Sequence, residues 1–483
     1  MSFWSPPRSS KLLQNTLLLF ISNLFAKATT ALLFIFIARQ LGPAEGGQFS
    51  LGVTYSLILM LPLIGLEDYL IREIVRDKQQ TRSFLSNFLV LRLGMTTILI
   101  IGLCAALFNT TVYSEQTTLI VSLIALTAFS EGIFSTSQSL FFAHERFWIP
   151  VILSLFTMSL KTGGGLLVLF QGGNLINLSL VYLGASWLGA ILSLMSAMWL
   201  AAAVTGSWQI DVRFCWRIVG NGRSFILMGL LVGLELQADI IILSFLTNET
   251  IVGWYSAATT IFVGLALLAA AYRVAVFPTM TRLASESVTQ LFGLYEKSVY
   301  YIFFLSVPLL AAVAVLAPVI LPLIYQENFE QAVPILQILV WALIFLFINV
   351  PNTRLLLVLD LQGWIPIFLT VSLLVNLILN YLLVPSLAGL GAAIARIVST
   401  ATYSCLTLLL IQQQKPRGFQ MQFIKLMTRV LLAIASMVWV VYLLRYQTIS
   451  ILLIAMLAGY FLVAWVSGVV PSEDRRRLKE LFL

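Results

Sequence analysis

The residues of this chain that could do chemistry are ionisable side chains set inside long apolar stretches: Lys27, Arg92, Glu131, Lys161, Glu235, Asp239 and Arg396. A charge at the centre of a membrane helix costs about 2.5–3.5 kcal/mol, so such groups are expected to face a bundle interior or a water-filled cavity. Mutual pairing that fixes helix packing is one reading of them. Their distribution supports a second. In the first half Lys27, Arg92 and Lys161 stand against Glu131, and in the second Glu235 and Asp239 stand against Arg396. If the four first-half groups share one cavity, at least two cations lack an acidic partner from their own half, and an anion completes the balance. Asn23 lies one turn before Lys27 on the same helical face, as a polar lining would. Glu235 and Asp239 are four residues apart and share a face. Two nearby carboxylates in low dielectric compete for one proton, the property a proton-coupling site needs. Pairing of this couple with Arg396 or with a first-half cation is the alternative.

The elements that position these groups are membrane spans. Of the 483 residues 60% are hydrophobic and 10% charged, against about 25% charged in a soluble domain. A bilayer-crossing helix needs about 20 mostly apolar residues. That window predicts fourteen spans, near 12–38, 46–66, 84–108, 117–141, 147–170, 176–203, 222–246, 251–276, 299–324, 332–356, 364–385, 387–411, 424–444 and 449–470. The apolar stretches lack period-two alternation, so a barrel is not supported. With the N-terminus placed in the cytoplasm, 22 of the 28 basic residues fall in cytoplasmic segments and only Arg39 and Arg445 fall outside. Basic loops resist translocation, so both termini are expected in the cytoplasm.

The same composition narrows the function classes. Cys104, Cys215 and Cys405 lie far apart in apolar runs and read as reduced core residues rather than a disulfide framework. The single histidine, His144, argues against histidine-cluster metal sites and a histidine-based triad, so neither metal nor catalytic residues are expected. The predicted outer loops are too short for a catalytic domain, and a GxxxxGK phosphate loop is not found. The formal charge of +8 follows membrane topology rather than nucleic-acid binding. A non-enzyme driven by an ion gradient or by its substrate's own gradient fits best, with H+ or Na+ as the coupling ion and no other cofactor.

An internal repeat adds organisation. IARQLGPAEGGQFSLG (37–52) and ILSFLTNETIVGWYSAA (242–258) align with Gly47, Phe49 and Ser50 matching Gly253, Tyr255 and Ser256. The offset of about six spans gives both halves the same orientation, a parallel repeat about an axis along the membrane normal. The domains read as a six-helix lobe over 1–205, a second over 206–412, an extra helix pair over 413–470 and a basic cytoplasmic tail over 471–483.

ARQLGPAEGGQFSL (38–51) followed by GLEDYLIREIVRD (65–77) resembles the first hairpin of bacterial polysaccharide repeat-unit (O-antigen type) flippases. QADIIILSFLTNETIVGWYSAATTI (237–261) resembles that family's aspartate near the end of span 7 and its VGxYxxA entry into span 8. Where relatives commonly carry Arg after the aspartate, this chain has Ile240. The resemblance implies the all-α fold of the multidrug/oligosaccharidyl-lipid/polysaccharide exporter superfamily, two six-helix MATE-like lobes with two extra helices. It implies a flippase that moves a polyprenyl-pyrophosphate oligosaccharide across the bacterial inner membrane by alternating access, for polysaccharide or lipopolysaccharide biosynthesis. Lys27, Arg92, Lys161 and Arg396 then read as cations for the pyrophosphate headgroup, and Asn23, Glu131, Glu235 and Asp239 as cavity or coupling groups. Membrane lipids and glycan polymerase machinery are the other expected partners. A multidrug/cation antiporter of the same superfamily is the alternative, disfavoured by four span cations against three acids. A peptidoglycan-precursor flippase and a membrane glycan polymerase or ligase follow.

Overall fold

The computed structural model describes residues 8–109, 112–204, 208–416, 435, 439 and 449–466. Its long elements are all helices: α1 (Arg8–Gln40), α2 (Pro43–Arg76), α3 (Thr81–Asn109), α4 (Glu115–Ala125), α5 (Thr127–Ala143), α6 (Trp148–Phe170), α7 (Leu175–Ala202), α8 (Val212–Leu246), α9 (Glu249–Glu286), α10 (Val288–Tyr325), α11 (Ala332–Leu339), α12 (Ala342–Val358), α13 (Trp364–Leu387), α14 (Gly389–Gln414) and α15 (Ile449–Val466). Twelve spans among the described residues are long and apolar enough to cross a membrane. Two of them are interrupted: α4 and α5 share the span Glu115–Ala143, and α11 and α12 share Ala332–Val358. The expected thirteenth span lies almost wholly outside the described residues, as do the basic tail over 471–483 and Arg417, Lys425, Arg429 and Arg445. The fourteenth is represented by α15.

The chain divides into two compact units. The first contains Met1–Thr260, Pro322–Ala332 and Leu373–Ala395. Its centre is α2, which packs along α8 and against α4 and α5. Close approach of α2 and α8 depends on glycine. A Cβ at Gly65 would sit 1.8 Å from the Phe225 carbonyl oxygen, a distance no side chain tolerates. The turn that feeds α2 also needs glycine, because Gly42 has φ of 106°, and Pro43 then starts the helix where its missing N–H is harmless.

The second unit contains Ile261–Leu321, Val333–Ser372 and Arg396–Leu483. Polar side chains tie its helices together. Tyr295 donates to Asn352 Oδ1 at 2.7 Å, and Asn352 Nδ2 donates to Thr407 at 2.9 Å. The final helix is anchored by Tyr460, whose hydroxyl donates to the Phe304 carbonyl at 2.9 Å amid Tyr300, Phe303 and Val307.

Two sequence expectations need correction here. Cys215 is buried and Cys104 partly so, but Cys405 is exposed on α14 rather than in the core. The second span does not end near Leu66: α2 continues unbroken to Arg76, because hydropathy falls there while helix hydrogen bonding does not. Glu67 and Asp68 are thereby carried into the span.

Candidate functional site

Asp239 is the most completely enclosed acid of the predicted set, 1% exposed on α8. Its Oδ2 accepts a hydrogen bond from the Tyr255 hydroxyl at 2.5 Å. Its Oδ1 accepts from Asn376 Nδ2 at 2.9 Å and Asn380 Nδ2 at 3.0 Å. The two asparagines stand four residues apart on α13 and therefore share a face. Asn380 Oδ1 has no hydrogen-bond partner among the described residues. Burying a charge requires this degree of satisfaction, since an unsolvated carboxylate would be prohibitive in hydrocarbon. Glu235 lies half-buried one turn earlier on α8, as the spacing predicts.

The cations of the first half are arranged differently from the sequence expectation. Lys161, 2% exposed on α6, forms an ion pair with Glu131 of α5 and lies 4.6 Å from the centroid of the Tyr182 ring. Arg92 of α3 pairs with Glu67 of α2 at 2.7 Å. Its approach passes over Gly132, where a Cβ would come within 2.8 Å of Arg92 Nε. Arg92 Nη2 has no hydrogen-bond partner among the described residues. Two of the three cations are thus already neutralised by acids of their own half. The expectation of two unmatched cations fails because it counted Glu131 alone and stopped the second span before Glu67. The extension of α2 to Arg76 adds Glu67, Asp68 and Glu73 to the second span together with Arg72 and Arg76, so the count of four span cations against three acids becomes six against six and no longer argues against a cation antiporter.

Lys27 is the exception. It projects, exposed, near the middle of the span Leu17–Gln40, without an ion pair or hydrogen bond to any described residue, and Asn23 is exposed one turn earlier. Arg396 is buried on α14 in the second unit, where the Thr400 hydroxyl donates to its carbonyl at 2.7 Å. The structure therefore joins Lys161 with Glu131 and places Glu235 and Asp239 on one face. Arg92 is given the unforeseen partner Glu67.

The repeat appears in three dimensions as a reciprocal contact within the first unit. A Cβ at Gly47 would lie 1.9 Å from the Glu249 carbonyl oxygen, and a Cβ at Gly253 would lie 1.9 Å from the Pro43 carbonyl oxygen. Three residues on, the Ser256 hydroxyl donates to Ser50 Oγ at 2.7 Å. Polar groups extend this seam. Gln48 Nε2 donates to Thr117 Oγ1 at 2.9 Å, and Thr117 donates to Glu249 Oε1 at 2.8 Å. Arg39 donates to the carbonyls of Leu323 and Ile324, two of the orphan acceptors at the end of α10. Trp254 Nε1 donates to the Asn328 carbonyl at 3.0 Å.

The mates Phe49 and Tyr255 also flank the two charged clusters. Phe49 packs edge-on against Tyr182, which carries Lys161, while Tyr255 binds Asp239.

The sequence reading missed Glu67, Asn376 and Asn380. The available signal for the asparagines was two amides four residues apart in an otherwise apolar span.

An all-helical chain with twelve helices among the described residues long and apolar enough to cross a membrane, and with charged pairs buried between them, is a multi-pass membrane protein. The chain belongs to the polysaccharide biosynthesis protein family, whose model matches residues 36–334. Comparison with curated proteins by sequence finds no match. Among solved structures it is similar to the lipid II flippase MurJ in an inward closed conformation, with a TM-score of 0.74, 14% identity, and coverage of 93% of this chain and 98% of that one. It is also similar to an inward-facing multidrug resistance MATE transporter of the MOP superfamily, with a TM-score of 0.63, 16% identity, and coverage of 82% and 96%. A MOP superfamily transporter from Pyrococcus furiosus aligns with a TM-score of 0.57 at 14% identity over 85% and 99% of the two chains. At these identities the likeness establishes the MATE-like fold.

Proposed function

We propose that this protein flips a lipid-linked oligosaccharide, carried on polyprenyl pyrophosphate, from the cytoplasmic to the outer leaflet of the bacterial inner membrane. Both termini lie in the cytoplasm in this reading. The lobes over 1–205 and 206–412 alternate access, and the polymerase that consumes flipped units is the expected partner.

One observation carries the reading. Lys27 is an exposed ammonium near the middle of a span in a member of a polysaccharide biosynthesis family. A lysine that deep is tolerated where water reaches it, and a hydrated cation is what an anionic headgroup needs. Arg92, Lys161 and Arg396 serve the same headgroup in a later state, Arg92 and Lys161 by exchanging their carboxylate partners for phosphate oxygens. Asp239 takes the coupling cation, H+ or Na+. Its carboxylate and the unpaired Asn380 Oδ1 are hard oxygen donors of the kind Na+ accepts, and Glu235 and Glu131 line the path.

The test is flipping of a polyprenyl-pyrophosphate oligosaccharide in proteoliposomes. Lys27→Ala abolishes flipping and Lys27→Arg retains it, with unchanged protein levels. Wild-type flipping by Lys27→Ala overturns the reading, and ion-driven export of a cationic drug instead of the lipid favours the antiporter.

A further inference from the structure

A groove of about 510 Å³ runs between α6 and α7, walled by Trp148, Ile152, Met195, Ser196 and Trp199 among others. That volume falls within the roughly 300–1,000 Å³ range of sites that hold small molecules. Its walls offer little to a polar ligand, since the Ser196 hydroxyl already donates to the Leu192 carbonyl at 2.7 Å. Trp148 and Trp199 are 58% and 68% exposed, and Ile152 and Met195 are exposed as well. On two membrane spans, so much exposed apolar surface meets hydrocarbon. Both tryptophans lie at the same end of this antiparallel pair, at the start of α6 and near the end of α7, where indoles mark the headgroup level.

Cations stand at that same end. Arg146 is exposed in the turn that opens α6, and Lys78 is exposed in the short 3-10 turn after α2. Both act on His144, which bonds Thr81 Oγ1 at 3.1 Å and so fixes the cationic turn to α3. Asp77, beside Lys78, is already engaged by Gln79 N and Gln80 Nε2.

We infer that this groove is a binding site for one anionic phospholipid, its acyl chain between Trp148 and Trp199 and its phosphate at Arg146 and Lys78. The charge complementarity selects an anionic lipid over a zwitterionic one. The site is separate from the buried clusters of the proposed transport path.

The experiment is native mass spectrometry of the full chain released from phosphatidylcholine nanodiscs that contain phosphatidylglycerol as the minor lipid. The wild type retains one phosphatidylglycerol. Arg146→Gln weakens retention about fivefold, the worth of one cation near an anionic surface, while Arg146→Lys keeps it. Met195→Trp fills the groove and removes the lipid. Glu145→Gln, which takes away the acid of the turn, strengthens retention. Phosphatidylglycerol also raises the pKa of His144 in the wild type, a readout independent of lipid counting. Equal retention by the wild type, Arg146→Gln and Met195→Trp overturns the inference. So does equal retention of phosphatidylcholine, which is solvation by hydrocarbon only, or displacement by a polyprenyl diphosphate, which makes the groove part of the transport path.

Discussion

Ser256 donates a hydrogen bond to Ser50 across 206 positions of sequence, the same interval that separates Gly47 from Gly253. These two pairs of the repeat thus meet their own counterparts, as residues on an internal two-fold do. The crossing has a measurable energetic signature. Gly47→Ala and Gly253→Ala each push a methyl into a backbone carbonyl, and each is expected to cost about 1–3 kcal/mol. Because both strain one contact, the double variant should cost less than the sum, which thermal unfolding of the four proteins in a fixed detergent reads out.

The Lys161–Glu131 pair predicts an asymmetric mutational response. Lys161→Met alone strands Glu131 and should destabilise the protein by about 3 kcal/mol, the low end for a broken buried pair because Glu131 keeps some exposure. Lys161→Met combined with Glu131→Gln should recover most of that loss. Failure of the second substitution to rescue would show that lysine packing on Tyr182, rather than charge pairing, dominates.

Around Asp239, Tyr255→Phe removes one hydrogen bond to a charged acceptor and should cost about 1.5–3 kcal/mol. Asp239→Asn is expected to leave folding largely intact and to abolish the response of transport to an imposed H+ or Na+ gradient. Flux that follows either gradient as in the wild type would remove Asp239 from coupling.

His144 is the sole histidine, so its titration is free of overlap. Burial first, then the Lys78 and Arg146 charges, hold its pKa below the ordinary 6.5. The sign follows from linkage. The folded state resists a proton that the unfolded chain accepts, so this group's contribution is fully present above about pH 6.5 and is lost as the pH falls from there toward the lower folded value. Arg146→Gln should raise the folded pKa in an imidazole NMR titration and flatten the acid side of the stability profile.

Much of the fold was legible because bilayer thickness acts on each helix separately. The expected span over 147–170 is α6, Trp148–Phe170, to within a residue, and the glycines and serines of the repeat were visible at matched positions, although the contact between the two copies was not, since it is made by packing. Asp239 was visible because an acid in an apolar run has few reasons to be there. Its partners were not, because which face of α13 meets α8 is decided by packing between elements 137 and 141 residues apart. Glu67 was hidden for another reason. A hydropathy window ends where polar residues begin, but backbone bonding carries α2 ten residues further. That extension changed the charge balance of the whole first half.

The guanidinium of Arg39 grips main-chain oxygens rather than side chains at Leu323 and Ile324. Every residue type presents the same carbonyl, so positions 323 and 324 are free to drift in identity without loosening this clasp. Its inheritance rests on a single codon, the one that specifies Arg39.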